Sequence, residues 1–353
     1  MAGVTTIRTR AWQKGEVVSD GFPLADLDGW LAKKDTLVWA DLCSGDTEEL
    51  TQLAEELSLS PLAVEDATAD GERVKLARHP GHLFVTCYST VFDSDLELSH
   101  KSRLVTSQVS VFVMPQGLVT VRKDESFDIE SVVRHWEDDS SLLAQGVLGL
   151  LHGLLDEVVD SHFEAVQHLD DAIEDVEGEL FESGSMLGKQ EVIYRLRREV
   201  VELRRVVLPM REVVLGLNRR REAKAEEEQD QPNGQNGQNR PAPTMAGTSL
   251  DGWYDDLYDH TLRAAEWTES LRDMISSLFE TNLSLQDARL NTIMKKLAGW
   301  AAIIAVPTAV TGWFGQNVPY PGFSQSYGVW MSLGMILVGS AALYMVFRKY
   351  DWI

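Results

Sequence analysis

The 353 residues carry 55 Asp and Glu against 32 Lys and Arg, a formal charge of −23. So acidic a balance argues against a nucleic-acid partner, because a polyanion is bound by basic surface. The two cysteines, Cys43 and Cys87, make neither a disulfide framework nor a zinc signature, which fits a reducing compartment.

The N-terminal MAGVTTIRTRAWQKGEVV has no apolar core of the kind a signal peptide needs. From about Trp12 to Lys123 the pattern is mixed α/β. Short β-rich runs occur at Thr36–Trp39, His82–Tyr88, Arg103–Val113 and Gly117–Val121, with polar turns between them. Helical spacing with acidic residues in the first turn marks Asp46–Leu57, and Pro61 opens a second short helix, PLAVEDAT. These interleaved elements predict an α/β domain over residues 1–125.

Residues 126–221 read as wholly helical. One long amphipathic run, LLHGLLDEVVDSHFEAVQHLDDAIEDVEGELFES, has a strongly acidic polar face, and KQEVIYRLRREVVELRRVVLPMREVVLGL is a basic partner expected to pair antiparallel and to kink at Pro209. His152, His162 and His168 follow no recognised ligand spacing, so they read as core or surface histidines. Residues 222–250, rich in Gln, Asn, Gly, Pro and charge, predict a disordered loop. A helix from Asp251 then runs on without proline until the apolar region, and at 1.5 Å per residue it would extend about 95 Å by Phe314.

Between Leu297 and Phe347 there is no Asp, Glu, Lys or Arg. Two apolar segments lie in this window, about 297–314 and 329–347, each close to the roughly 20 residues that cross a hydrocarbon core. A turn-rich stretch, 315–328, separates them. Lys295 and Lys296 precede the first, Arg348 and Lys349 follow the second, and the stretch between has no charged side chain. Cations at both inner ends place the N-terminal region and the 348–353 tail in the cytoplasm and the connecting loop outside, a multi-pass protein of the cell membrane.

The first span carries a pattern beyond that of an anchor. Asn291, Met294, Ala298, Ala301, Ala305, Thr308, Gly312 and Gly315 recur every three or four residues and so share one small or polar helical face. Such a face either packs closely on another helix or lines an aqueous path. Pro307 removes a hydrogen bond in mid-span, which neighbouring Thr hydroxyls can offset.

These blocks together resemble the CorA family of divalent-cation channels. The resemblance rests on PLAVEDAT, HLFVTCYSTVFDSDLEL, VVELRRVVLPMREVV, YDDLYDHT, Gly315-Gln316-Asn317 after the first span, and the basic-aromatic end RKYDWI. It implies a homopentameric funnel: an α/β cytoplasmic domain, a long helical region and two C-terminal transmembrane helices, the first surrounding a pore. It implies a transporter of Mg²⁺, with Co²⁺ or Ni²⁺ as further ions, and no enzyme. By the same resemblance Gly315, Gln316 and Asn317 form a selectivity ring. Ala301, Ala305, Thr308 and Gly312 line the pore, Met294 and Leu297 constrict it, and Asn291 makes a polar ring beneath. Asp93 and Asp256 of neighbouring subunits would hold a regulatory Mg²⁺, since facing carboxylates repel unless a divalent cation lies between them.

Two departures bear on the ion. Gln316 stands where the family signature has Met, and the loop VPYPGF lacks the carboxylate usual there. A Zn²⁺ transporter coupled to protons, like the related ZntB branch, and a membrane-anchored sensor that conducts nothing are the alternative readings. The expected partners are further copies of the chain, membrane lipid and divalent cations.

Overall fold

Alternation of side chains along the N-terminal strands gives the sheet two buried faces and thus two helical layers. The structure, a computed structural model, describes residues 6–43, 47–92, 102–182, 189–229, 248–316 and 319–353. It divides into two units, Met1–Ser276 and Ser277–Ile353.

The first unit holds seven strands: β1 (Thr6–Gln13), β2 (Glu16–Asp20), β3 (Thr36–Cys43), β4 (Lys75–His79), β5 (His82–Phe92), β6 (Leu104–Met114) and β7 (Gly117–Arg122). Their order is β2-β1-β3-β7-β6-β5-β4, parallel only between β3 and β7 and antiparallel elsewhere. On one face Val38, Ala40, Phe84, Phe112 and Val119 pack with Leu27 of α1 (Leu27–Leu31), Leu50 and Leu53 of α2 (Thr47–Glu56) and Ala63 and Ala67 of α3 (Pro61–Thr68). The other face presents Val85, Cys87, Val109, Val111 and Leu118 to α4 (Ile129–Asp138), α5 (Ser140–Ala144), α6 (Val147–Glu182), α7 (Lys189–Gln229) and the start of α8 (Thr248–Phe314).

Three tryptophans anchor that second layer. Trp136 of α4 meets Trp12 and Trp39 edge-on, with centroids 6.0 and 5.5 Å away, and its indole N–H donates to the Leu150 carbonyl at 3.0 Å. A buried Trp with its N–H satisfied combines a large apolar area with a fixed orientation.

Helices α6 and α7 run antiparallel. Tyr254 of α8 shows the direction: its hydroxyl donates to Leu148 O near the start of α6, while its carbonyl accepts from Asn218 near the end of α7. Pro209 lies inside α7, which is continuous through it. Helix α7 runs on to Gln229 and α8 begins at Thr248, so the margins of the expected 222–250 loop are helical. The sequence EAKAEEEQ, made of strong helix formers, explains the first extension. Residues 230–247 lie outside the described residues.

The second unit contains α8 from Ser277 onward and α9 (Ser326–Lys349). Both helices are long and apolar enough to cross a membrane, and almost none of either apolar window is buried. Helix α9 starts at Ser326, inside the stretch expected to be loop.

Candidate ion pathway and sensor site

The face of α8 that meets α9 is short-sided. A Cβ on Gly299 would sit 3.2 Å from Ile353 and 3.7 Å from Phe347, and one on Gly339 of α9 would sit 3.0 Å from Val306. Ala302, Ile303, Val306 and Val310 of α8 are half-buried, in keeping with a packed stripe at helical spacing. Past α9 the chain folds back: Trp352 stacks on Phe347 at 5.4 Å and its N–H donates to Phe347 O at 2.9 Å.

The small face predicted from periodicity lies elsewhere on the helix. Asn291, Met294, Ala298, Ala301, Ala305, Thr308, Gly312 and Gly315 are all exposed, as is Leu297, the further constriction residue that the resemblance implies. Met294, Ala301, Ala305, Thr308, Gly312 and Gly315 lie about half a turn around α8 from the Gly299–Val306–Val310 line, and Asn291 and Ala298 about a quarter turn from it. Packing within the hairpin therefore does not account for them. The helix stays regular through Pro307 with two threonine hydroxyls bonded back to it, Thr311 to Pro307 O at 2.8 Å and Thr308 to Ile304 O at 3.3 Å.

Beyond Phe314, Gly315 N–H donates to Thr311 O at 2.8 Å and Gln316 N–H to Trp313 O at 3.3 Å, closing the helix end. Asn317 lies outside the described residues. Tyr320, which sequence reasoning did not single out, returns to that end: its hydroxyl donates to Phe314 O at 3.1 Å. Its signal in the sequence is the aromatic spacing of Phe314, Tyr320 and Phe323 around two prolines. Trp313 and Trp330 are exposed near this end of the hairpin, and Trp300 and Tyr350 near the other, where interfacial aromatic belts are expected.

Of the two sensor candidates, Asp93 lies outside the described residues. Asp256 projects from α8 with its side chain 71% exposed, and His260 Nε2 stands 3.8 Å from its carboxylate. Asp255, its neighbour, accepts from Asn218 Nδ2 at 3.0 Å. On α6, burial first and then the charges of Asp156 and Glu157 hold the Asp160 carboxyl above the usual range, against the pull of His260. Burial likewise makes His152 harder to protonate, and its Nε2 lies 3.1 Å from Trp253 O. Among the described residues no three His, Cys, Asp or Glu side chains converge to hold a metal. Asp256 is thus one exposed carboxylate on a turn that also exposes Asp255 and Asp259.

His162 and His168, like His152, serve packing. His162 is fully buried against Tyr88 O at 2.8 Å, and His168 lies 5.3 Å from the Phe92 ring.

The cobalt/magnesium transport protein CorA of Methanocaldococcus jannaschii is 23% identical over 323 residues, covering 90% of this chain and 92% of that protein. The protein of the same name from Thermotoga maritima is 25% identical over 342 residues, covering 94% and 88%. Among solved structures, the complete CorA magnesium transporter of M. jannaschii superposes with a TM-score of 0.73 at 21% identity, covering all of both chains. The full-length CmaX protein gives 0.68 at 20% identity, over 98% of this chain and 97% of that one. The ZntB cytoplasmic domain from Vibrio parahaemolyticus gives 0.57 at 9% identity, over 80% of this chain and 99% of that one. The family model described as CorA-like Mg²⁺ transporter protein matches residues 34–349, and the chain belongs to that family.

Proposed function

We propose that the protein is the subunit of a homopentameric channel that moves Mg²⁺, and Co²⁺ beside it, across the cell membrane. The carrying observation is the small, polar face of α8, left open on the side away from α9. Five such faces turned toward a common axis would enclose a path lined by Thr308, Gly312 and the alanines, narrowed by Leu297 and Met294. Asn291 would form a polar ring beneath the constriction. Neutral amides of Gln316 and Asn317 at its outer mouth suit a cation that keeps its water, because they hydrogen-bond the hydration shell without trapping the ion. An inside-negative potential contributes about 2.3 kcal/mol per elementary charge per 100 mV.

In this reading both termini are cytoplasmic, with Lys295, Lys296, Arg348 and Lys349 at the inner surface. Asp256 and Asp93 of a neighbouring copy hold regulatory Mg²⁺, which clamps the subunits together while cytosolic Mg²⁺ is plentiful. As it is depleted the carboxylates repel, and α8 acts as the lever that widens the constriction. Ni²⁺ and Zn²⁺ are secondary cargoes.

The test is ion flux into proteoliposomes containing the full chain, with Mg²⁺, Co²⁺, Ni²⁺ and Zn²⁺ compared and Asn317→Ala as control. Mg²⁺ entry under an inside-negative potential, lost in Asn317→Ala, is the expected result. Zn²⁺ entry alone, driven by a pH gradient, would replace the channel by a proton-coupled transporter. The absence of flux for every ion would leave a membrane-anchored sensor.

A further inference from the structure

The turn after the first span is closed by aromatic side chains. The last carbonyls of a helix have no partner within it, and near hydrocarbon each needs one. Here Thr311 O and Trp313 O receive the Gly315 and Gln316 N–H groups, and Phe314 O receives the hydroxyl of Tyr320. The tyrosine ring is held on two sides: it meets Phe314 edge-on at 4.9 Å and 72°, and Phe323 at 5.4 Å and 86°. Its backbone continues the tie, since Tyr320 O accepts from Phe323 N–H at 2.9 Å.

From there the turn is built against the start of α9. Gly322 O accepts from Gln325 N–H, and Gln325 O from Gly328 N–H, each at 3.1 Å. Gly322 has φ +95°, and a Cβ on Gly328 would lie 2.6 Å from Gly322 O, so the two backbones touch as only glycines permit. Tyr320 is the hub between the end of one span and the start of the next. An interfacial-belt tyrosine keeps its ring in the membrane and its hydroxyl toward water. The Tyr320 hydroxyl instead points back to a helix terminus, and the side chain is half-buried.

We propose that Tyr320 is a positioning residue for ion selection, fixing the outer end of the first span at the Gly315-Gln316 turn. The loop VPYPGF has no carboxylate to attract a cation. What faces the ion at this mouth is then the carbonyl end of a helix and the signature amides, whose preference depends on where they are held. This inference rests on the cation-transport reading above.

The experiment compares wild type, Tyr320→Phe, Tyr320→Leu and Asn317→Ala as full chains in proteoliposomes, with Mg²⁺ and Co²⁺ supplied separately. Half-saturating concentration, maximal flux and the Mg²⁺/Co²⁺ ratio are measured, with thermal unfolding and oligomer size checked in detergent. Tyr320→Phe keeps both ring contacts and removes only the hydroxyl. It is expected to fold as wild type, to raise the Mg²⁺ half-saturating concentration about five-fold, as befits one hydrogen bond, and to shift the Mg²⁺/Co²⁺ ratio. Tyr320→Leu is expected to do more of both. If Tyr320→Phe matches wild type in concentration dependence and ratio while Asn317→Ala is silent, the positioning role is wrong and the transport reading stands. A change confined to maximal flux would make Tyr320 merely structural and would also overturn the proposal. Absence of Mg²⁺ and Co²⁺ flux in the wild type would overturn the transport reading and this inference together, and normal flux with an unchanged Mg²⁺/Co²⁺ ratio in Asn317→Ala would overturn the inference by showing that the signature amides do not select the ion.

Discussion

Asp41 on β3 is wholly buried, and every polar atom around it is spoken for. Arg122 Nη2 lies 2.7 Å from Oδ2 and its Nε 3.0 Å from Oδ1, Thr120 donates to Oδ1 at 2.6 Å, and Arg122 Nη1 reaches the carbonyls of Asp124 and Phe127. Breaking such a pair from one side strands a buried charge. Arg122→Ala should lower the unfolding free energy by about 3–5 kcal/mol, whereas replacing both residues by apolar ones of similar volume should cost less than the single change. Denaturant titration of the detergent-solubilised protein measures both; a double variant as unstable as the single one would show that the pair itself stabilises the fold. His162 makes a second prediction. Its Nε2 must carry the hydrogen donated to Tyr88 O, so Nδ1 is a buried lone pair with no partner, and burial pushes the imidazole down to about 4 from 6.5. The unfolded chain therefore binds this proton first as pH falls. Stability is fully present above about 6.5 and is lost toward pH 4, by about 3 kcal/mol in all. Because the other titrating groups cancel in the comparison, unfolding curves of wild type and His162→Phe at several pH values isolate the contribution of this histidine. The variant should lose less stability across that window, and equal slopes would mean that His162 is charged in the native state.

Helix α8 shows why some elements are legible in a sequence and others are not. A window free of charge and a three-to-four spacing of small residues are local signals, and both survive in the structure as an apolar span with an exposed small face. Strand β1, TIRTRAWQ, sends no such signal, because five of its eight residues are polar. Besides Asp20 on the neighbouring β2, it is held by partners remote in sequence: Arg10 pairs with Glu137, and Arg8 with Glu130. Strand β4, KLARH, is a five-residue sheet edge and was equally silent. The open face of α8 carries its own prediction. Ala305 and Ile304 are adjacent and both exposed, but only Ala305 lies on the expected pore line. Ala305→Leu adds bulk to five copies of one ring, so flux should fall at least about ten-fold with folding intact, since a constriction can also gate by dewetting. Ile304→Ala should leave flux nearly unchanged. Equal effects of the two would mean that the face packs against other helices.

At the scale of the whole molecule, the proposed amide ring and clamp would need copies of the chain brought together, and no local pattern in one chain states that. Asp256 was recognisable only through the family resemblance, for an exposed carboxylate beside the half-buried His260 looks the same as a solvated helical turn. The orientation of the hairpin, by contrast, rests on where four cations sit, and it can be read directly by labelling. Both native cysteines are buried, and burial pushes the Cys87 thiol up to about 12 and raises that of Cys43, so neither supplies a reactive thiolate at neutral pH. The wild-type background should therefore be silent to an impermeant maleimide, and single added cysteines report their own side of the membrane. Ser326→Cys, at the start of α9, should label in intact cells. Tyr350→Cys, just beyond its end, should label only after the membrane is opened. The reverse pattern would put the basic ends outside and the acidic domain with them, where cytosolic Mg²⁺ could not act on Asp256. Equal labelling of both sites in intact cells would place the two ends of α9 on one side, and the two-span reading would fall with the orientation.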